Sequence, residues 1–382
     1  MHIALFAGEP SGDQLGAELI KSLRKLNPCI NFDGVGGPLM QAEGFQSLLP
    51  IEDFAVMGLT EIVGALPRLM NYRKKLTNYY QNVMPDAFIG IDYPEFNLSL
   101  EKRLKESGIF TAHYVSPSVW AWRENRIHHI KHSCDLMLTL FDFEKDFYDK
   151  HQMSAVHCGH PLVDIIPETI DTDKARLQLG LSDDKPYLAI LPGSRVSEVK
   201  RMLPIFIKTA KKLQQLQPNL HCLIPAANDD LFRLIYRTMQ KQGKQLPHTI
   251  YPQQAKRVMT ASDAVLLASG TSALEAMLLQ KPMLVSYKVS PTTALFARRL
   301  LNISHFSLPN LLADHPVVPE FIQEHINPTE MADTLNKLIN PTTDRDDMIE
   351  YFIDIRKKLK SNGADTAAKA IYNELTYRKI SL

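Results

Sequence analysis

The chain has 382 residues, of which 45% are hydrophobic and 22% are charged, a composition typical of a globular protein large enough for two hydrophobic cores. Lys and Arg together number 43 and Asp and Glu number 42, and this balance argues against a nucleic-acid-binding protein that works through bulk charge. The cysteines lack CxxC spacing, so neither a zinc site nor a disulfide framework is indicated and a reducing compartment is expected.

The N-terminus enters an apolar run directly, without a basic leader or a cleavage signal. This pattern predicts a first strand, His2–Ala7, instead of a signal peptide. The sequence has no run of about eighteen apolar residues, so no membrane span is expected. The expected compartment is the cytoplasm.

The first strand is followed by a Gly-Glu-Pro-Ser-Gly-Asp turn and an amphipathic helix over residues 14–26. A buried strand that leads into a helix is the start of a parallel α/β sheet. A second strand, Asn31–Val35, ends in glycines that lack the GxGxxG order. A nicotinamide fingerprint is therefore not supported.

Residues 54–80 are densely apolar, with basic residues among and directly after the apolar ones. Pro67 is expected to interrupt or begin a helix here. An apolar face beside basic residues suits a membrane interface with anionic headgroups, although a core-facing helix with a solvated basic side gives the same pattern. The candidate membrane patch consists of Val63, Leu66, Arg68, Leu69, Met70 and Arg73.

The strand predicted over residues 86–92 ends on Asp92, and ligands of open α/β sheets bind at the carboxyl ends of strands. The alternative role for Asp92 is to cap the next helix. A further strand, 111–115, leads into Ser116, and Trp120 and Trp122 follow closely. Clustered aromatics beside a strand end suggest a binding wall, whereas two core tryptophans are the plainer interpretation.

Metal binding has one candidate cluster in the first half. The residues His128, His129, His132 and Cys134 lie close together, but no distant acid or cysteine pair completes a ligand set. No metal is therefore expected. After a strand at 136–140, the loose segment 167–173 is a plausible hinge between domains.

The second half repeats the alternation of strands and helices. The strand Tyr187–Leu191 runs into Gly193, Ser194 and Arg195. The strand Ala264–Leu267 stops at Ser269, Gly270 and Thr271, and the next helix carries Glu275 in its first turns. Free backbone N–H groups and the helix dipole favour a phosphate in such a turn, although an ordinary turn capped by Ser and Thr gives the same sequence.

Two doubly wound α/β domains facing each other across a cleft are therefore predicted. The first spans residues 1–166 and is joined by the C-terminal helices 348–382, and the second spans 167–347. Asn310 lies in a turn that would bring it to this cleft, although Pro-Asn is also common loop chemistry.

Six segments span nearly the whole chain and read AGEPSGD from Ala7, GIDYP from Gly90, VSPSVWAW from Val115, LPGSR from Leu191, SGT from Ser269 and SLPN from Ser307. Taken in this order, they resemble lipid-A-disaccharide synthases. Each is weak alone, whereas the full set is highly specific. No motif position departs from the family pattern, although an unusual residue, Cys158, precedes the Gly-His-Pro segment.

The resemblance implies an inverting glycosyltransferase with two Rossmann-like domains, the GT-B type, that needs no metal or other cofactor. Such enzymes transfer diacylglucosamine from its UDP donor to diacylglucosamine 1-phosphate (lipid X), which releases UDP and forms the β-linked disaccharide phosphate precursor of lipid A. They are peripheral to the inner face of the inner membrane. The expected partners are UDP-diacylglucosamine, the acylated sugar phosphate and the lipid surface, with no nucleic acid.

Roles follow from charge and position. Asp92 is the expected base, and Glu9 is the reserve or orients the acceptor. Arg195 suits the diphosphate. Glu275 is expected on the ribose. The donor side also includes Gly193, Ser194, Ser269, Gly270, Thr271 and Asn310, and the acceptor side includes Ser11, Ser116 and Trp120.

Two other functions stay open at this point. A UDP-sugar 2-epimerase of the same fold would use the same cleft but would not need an apolar basic patch. A non-catalytic lipid-binding protein would lack a placed base and a diphosphate arginine. A homodimer formed through the helical C-terminal segment is also permitted by the sequence.

Overall fold

The chain folds into two compact units, one formed by residues 1–164 and 359–382 and the other by residues 165–358. The structure is a computed structural model that describes residues 1–54, 59–120, 124–268, 270–289, 305–313, 315–360 and 362–381, without the side chains of 59–65 and 379–381. The observed boundaries follow residues 164 and 358, whereas the sequence predicted them after 166 and 347. Each unit is an α/β unit with its own sheet.

The sheet of the first unit has seven parallel strands in the order β3-β2-β1-β4-β5-β6-β7. Its central strands are buried along their whole length because they are covered by helices on both faces. The strands are β1 (His2–Ala7), β2 (Asn31–Val35), β3 (Gln46–Leu49), β4 (Ala87–Ile91), β5 (Phe110–Tyr114), β6 (Leu136–Thr139) and β7 (Ala155–His157).

The helices along this part of the chain begin mostly at the carboxyl ends of strands. Three of them start with a proline, Pro10, Pro38 and Pro94, a residue suited to the first helical position because it lacks an N–H group. The helices are α1 (Pro10–Leu26), α2 (Pro38–Ala42), α3 (Leu59–Val83), α4 (Pro94–Glu106), α5 (Arg126–Ser133), α6 (Asp142–Lys150) and α7 (Leu162–Ile165).

The expectation that Pro67 interrupts or begins a helix is wrong. Helix α3 begins at Leu59 and continues through Pro67. The proline is exposed on the helix surface, so the helix tolerates it with the loss of a backbone hydrogen bond. None of the helices in the described part of the chain has the length and apolarity needed to cross a membrane.

The second unit has a six-stranded parallel sheet in the order β10-β9-β8-β11-β12-β13. The strands are β8 (Tyr187–Leu191), β9 (His221–Ala226), β10 (His248–Pro252), β11 (Ala264–Leu267), β12 (Met283–Tyr287) and β13 (Glu320–Ile322). The helices from this point are α8 (Thr172–Leu179), α9 (Val196–Leu216), α10 (Asp229–Gln242), α11 (Ala255–Ala261), α12 (Thr271–Leu278), α13 (Leu308–Leu312), α14 (Pro328–Ile339), α15 (Thr343–Leu359) and α16 (Gly363–Ser381).

The two C-terminal helices belong to different units, although the sequence assigned both to the first. Arg356 on α15 is buried in the second unit, where its guanidinium donates to the carbonyls of Ile166, Pro167 and Leu278. Helix α16 packs on α1 in the first unit, and Arg378 there lies over the Phe110 ring. A dimer formed through this segment stays a prediction.

Each sheet has one point where the strand order reverses. In the first sheet β1 leads outward through β2 and β3, and the chain then returns to place β4 on the other side of β1. In the second sheet β8 and β11 are related in the same way. The loops that follow the two strands diverge at such a point and leave a crevice, where open α/β sheets bind ligands.

Candidate functional site

Glu9 and Asp92 follow the two strands that meet at the reversal point of the first sheet. Ala7 of β1 pairs with Ile91 of β4, so the segments that carry the two acids leave the sheet side by side. Glu9 occupies the N-cap position of α1 but its side chain makes no capping bond. Its charge reaches Tyr93, since burial first and the Glu9 carboxylate second raise the pKa of the Tyr93 hydroxyl.

Asp92 does not have the helix-capping role that was its structural alternative. The N-cap position of α4 is Tyr93, and no side chain caps this helix. Asp92 is partly exposed, and no hydrogen bond from the described residues to its carboxylate is observed. Its backbone N–H donates to the carbonyl of Tyr114, at 2.7 Å. The carboxylate is therefore held at the strand end and is available to a ligand.

The Tyr93 ring closes this turn against the first strand. A Cβ atom on Gly8 would lie 3.2 Å from Cγ of Tyr93, so a larger residue there would push the ring slightly away from the first strand. The Tyr93 hydroxyl donates to the carbonyl of Phe54, at 3.2 Å, and the Phe54 ring is buried among those of Phe6 and Phe96. The Asp92 turn is thus packed on the same aromatic cluster as the segment that precedes α3.

Three predicted acceptor-side residues have different surroundings. Ser11 is exposed at the start of α1, where helix N–H groups are free. Ser116 is buried, and its hydroxyl shares a hydrogen bond with that of Tyr148, at 2.9 Å. Trp120 donates from its indole nitrogen to Glu144, at 3.2 Å. The contacts of Ser116 are structural, and acceptor binding by all three stays a prediction.

Glu144 fixes the position of the Trp120 side chain. Its carboxylate is buried and also accepts the backbone N–H groups of Leu140 and Phe141. Burial raises the pKa of Glu144 to about 7, although these donors and the Trp120 indole act in the opposite direction. The tryptophan is therefore held by a buried acid that the sequence analysis did not identify.

The second site-forming turn follows β8 and contains Gly193, Ser194 and Arg195. Gly193 has a φ of 123°, and a Cβ atom there would lie 2.6 Å from Cβ of Glu198, so glycine is required. Glu198 accepts the backbone N–H groups of Ser194 and Arg195, at 3.1 and 3.3 Å. Its second oxygen lies 3.0 Å from the Arg195 guanidinium.

Glu198 organises this turn and was missed from the sequence, although its position three residues after an N-cap is the spacing of a capping box. The Arg195 side chain is 78% exposed. Its guanidinium is therefore oriented by one carboxylate and remains open to solvent. This arrangement suits an arginine that binds an anion.

The turn after β11 lies beside the turn after β8. Leu267 pairs with Leu191 across the two strands, and the N–H of Ala268 donates to the Leu191 carbonyl, at 2.9 Å. Gly270 is the N-cap of α12 with a φ of 151°, and no side chain makes a capping bond there. Thr271 is exposed at the start of the helix, and Ser269 lies outside the described residues.

Glu275 is one turn into α12 and is mostly buried. Burial raises the pKa of its carboxyl, and the nearby Lys256 partly opposes this effect. The carboxylate lies on the helix that begins at the reversal point of the second sheet. Its contact with a ligand bound at the turn stays a prediction.

Asn310 has a structural position in the second unit. Its side chain is buried, and its amide oxygen accepts the N–H groups of Val317 and Val318, at 2.9 and 2.8 Å. Its amide nitrogen donates to the Val318 carbonyl and to Glu320, both at 2.8 Å. These bonds satisfy the amide internally, and its contact with a donor stays a prediction.

The candidate membrane patch is divided by the structure. Leu66 and Met70 are 51% and 54% exposed, whereas Leu69 packs against the core of the first unit. Arg68 donates to the Asp53 carbonyl, at 2.9 Å, and Arg73 is partly buried. The Val63 side chain lies outside the described residues. Among the patch side chains that the structure describes, the exposed apolar ones are therefore those of Leu66 and Met70.

Comparison with known protein families identifies the family of this chain. The chain matches the lipid-A-disaccharide synthetase family over residues 3–371. It belongs to that family. The chain is therefore a glycosyltransferase of lipid A biosynthesis, which confirms the resemblance, and the epimerase alternative is not favoured.

The similarity to named relatives of this family extends over nearly the whole length of each protein. The chain is 46% identical to the lipid-A-disaccharide synthase of Pseudoalteromonas translucida over 373 residues, which cover 97% of this chain and 96% of the relative. It is 43% identical to that of Vibrio campbellii over 371 residues, which cover 97% of both. The family assignment thus applies to both units of the chain.

Solved structures share the fold at low sequence identity. A glycosyltransferase from Rickettsia africae aligns with a TM-score of 0.62 and 11% identity, covering 98% of both chains. The UDP-GlcNAc 2-epimerase of Neisseria meningitidis aligns with a TM-score of 0.61 and 12% identity, covering 99% of both chains. Since both kinds of enzyme share the fold, the fold alone does not separate them. The predicted fold class, α/β with two Rossmann-like domains of the GT-B type, is confirmed.

Proposed function

We propose that this family member transfers diacylglucosamine from UDP-diacylglucosamine to diacylglucosamine 1-phosphate with inversion at the anomeric carbon. The products are UDP and the β-linked disaccharide phosphate. The observation that carries the proposal is the Asp92 carboxylate, which lies at the reversal point of the first sheet and neither caps a helix nor receives a hydrogen bond from the described residues.

Asp92 acts as the general base in the proposed reaction. The primary hydroxyl oxygen of the acceptor attacks the anomeric carbon, its proton passes to Asp92, and the bond from that carbon to the diphosphate breaks. Inversion follows because attack and departure occur on opposite faces of the sugar. Glu9, on the neighbouring strand end, orients the acceptor and is the reserve base.

The second unit binds the departing UDP. Arg195 contacts the diphosphate, and the Ser194 hydroxyl and the N–H groups at the helix start at Thr271 add hydrogen bonds. Glu275 accepts the ribose hydroxyls. Gly193 and Gly270 shape these turns, Ser269 is proposed to add a further hydrogen bond to the donor, and Asn310 holds the segment beside α12. In this proposal the base comes from one unit and the residues that bind the leaving group come from the other.

One assay tests the transfer itself. Purified protein is incubated with UDP-diacylglucosamine, with and without diacylglucosamine 1-phosphate, and UDP release is followed together with the anomeric configuration of the product. Acceptor-dependent UDP release with a β-linked disaccharide is the expected result. Release that does not depend on the acceptor, or conversion of the donor into its 2-epimer, would contradict the proposal.

We also propose that the exposed apolar face of α3 contacts the membrane that holds both acylated substrates. We expect the double variant Leu66→Ser and Met70→Ser to lose at least about half of its binding to anionic phospholipid vesicles, because apolar burial and headgroup attraction act together at an interface. Co-sedimentation measures this binding. Leu216→Ser, which removes a similarly exposed leucine of the second unit, is the matched control.

The outcome separates surface from core effects. Leu69 is left unchanged because it packs against the core, so a polar residue there would destabilise the unit. Unchanged vesicle binding of the double variant, with an unchanged melting temperature, would remove α3 from this role. Equal losses in the double variant and in the Leu216 control would point to non-specific binding and would also contradict the proposal.

A further inference from the structure

The turn that carries Asp92 has an unusual backbone. Asp92 and Tyr93 have φ angles of 51° and 50°, so two consecutive residues other than glycine adopt the left-handed conformation. Such residues rarely adopt it without support from their surroundings. The Asp92 N–H donates to Tyr114, and the Asp92 carbonyl accepts a hydrogen bond from the side-chain amide of Asn97, at 2.7 Å.

Asn97 is fully buried on α4 and packs against the sheet at Gly90. A Cβ atom at Gly90 would lie 2.8 Å from both Cβ and Cγ of Asn97, and it would collide with the carboxylate of Glu101. Asn97 and Glu101 are one helical turn apart and face the same way. Because Gly90 has no side chain, both residues can pack against the sheet.

Glu101 is fixed in turn by the neighbouring strand. Its carboxylate lies 2.7 Å from Nδ1 of His113, and both side chains are fully buried. His113 on β5 is the register partner of Gly90 on β4, so the pair fastens α4 across these two strands. Burial raises the pKa of Glu101, and the neighbouring His113 opposes this rise.

The buried polar cluster of Asn97, Glu101 and His113 is unfavourable for the stability of the fold. Six buried side-chain atoms have no hydrogen-bond partner in the described residues, and half of them belong to Asn97, Glu101 and His113. Apolar side chains of similar volume would avoid this desolvation. A costly polar cluster that supports a strained turn is typical of functional sites.

We propose that Asn97 is the positioning residue of Asp92, and that the Glu101–His113 pair holds Asn97 in register with the turn. The inference rests on the proposed role of Asp92 as the base. Asn97 does not contact either substrate. It fixes the backbone from which the Asp92 carboxylate projects towards the acceptor hydroxyl.

The test is Asn97→Ala in the full-length enzyme. We expect kcat to fall about 100-fold, since a displacement near 1 Å has this effect on a reacting group. The KM for both substrates and the Kd for UDP should stay within about threefold, because the substrate contacts are unchanged. Glu101→Gln, which keeps the hydrogen-bond acceptor for His113, should retain most of kcat, whereas Glu101→Leu should lose about tenfold.

Thr111→Val is the matched structural control. Thr111 is buried at the opposite end of β5 and donates to the carbonyl of Ser133, so this variant also loses a buried hydrogen bond in the same unit. It should lower the melting temperature and leave kcat unchanged. A fall in kcat for Thr111→Val as large as for Asn97→Ala would overturn the proposal, because loss of stability would then explain both.

A double variant shows whether Asn97 acts through Asp92. In the Asp92→Asn background, Asn97→Ala should add less than about a threefold further loss, because the group that it positions is already absent. A further 100-fold loss would overturn the inference.

The single variants separate this inference from the proposed function. If Asn97→Ala alone keeps kcat within threefold while Asp92→Asn is inactive, the positioning role is wrong and the base assignment stands. If Asp92→Asn keeps full activity, both are wrong. Should Asn97→Ala fail to fold, Glu101→Leu takes its place in the same scheme.

Discussion

Replacing Asp92 with asparagine is expected to lower kcat for transfer by about 10²–10⁴-fold, the usual contribution of a general base. Asparagine has nearly the same size and tolerates the left-handed conformation that this position requires. The fold and the hydrogen bonds of the backbone are therefore retained. The variant lacks only the carboxylate that takes the proton from the acceptor hydroxyl.

The measurement is acceptor-dependent UDP release, together with the affinity for UDP by calorimetry. UDP affinity should be unchanged because the proposed UDP site lies in the other unit. Glu95→Gln is the matched control, since it removes the same charge three residues away from a side chain that is 80% exposed and paired with Arg126. Undiminished transfer by Asp92→Asn would remove Asp92 from the role and move the test to Glu9→Gln.

Strand prediction from sequence worked where the local pattern was strong. The buried strands β4 and β11 are continuous apolar runs, and their ends carry the residues that the pattern placed there. Strands β3 and β13 were not predicted, because they have four and three residues and are only partly buried. Such short edge strands are stabilised by their neighbours in the sheet, and this contribution is not visible in a local window.

The supporting residues of the site depend on contacts between distant parts of the chain. The Glu144 carboxylate accepts the Trp120 indole N–H, and Glu101 on α4 pairs with His113 on β5. A single sequence contains no periodicity that pairs residues so far apart. Glu198 is different, because its capping-box spacing is local and is readable beside Arg195.

Motif positions with polar residues have different surroundings from motif positions with charged residues. Asn310 and Ser116 were predicted as ligand contacts, yet both are buried with their polar groups bonded inside their own unit. Asp92 and Arg195 kept exposed or partly exposed charged groups. A buried amide or hydroxyl finds partners within the fold, so a motif position alone does not separate a structural role from a binding one.

Arg195→Ala is expected to lower kcat/KM for the donor by about 10²–10³-fold, the effect of losing one strong donor to a developing negative charge. The guanidinium matches a diphosphate with two parallel hydrogen bonds. Arg195→Lys should therefore recover only part of the loss, because an ammonium group keeps the charge without this geometry. The measurement is the rate of UDP release over a range of donor concentrations.

Arg233→Ala is the matched control, since Arg233 is 67% exposed in the same unit and pairs with Asp230 on its own helix. A kcat/KM within about threefold of the original for Arg195→Ala would contradict the assignment, as would an equal loss in the control. The affinity for UDP distinguishes the proposed role of Arg195 from that of Asp92. Because Arg195 is proposed to bind the diphosphate in the free product as well as in the transition state, its loss must weaken UDP binding, whereas the loss of Asp92 must not.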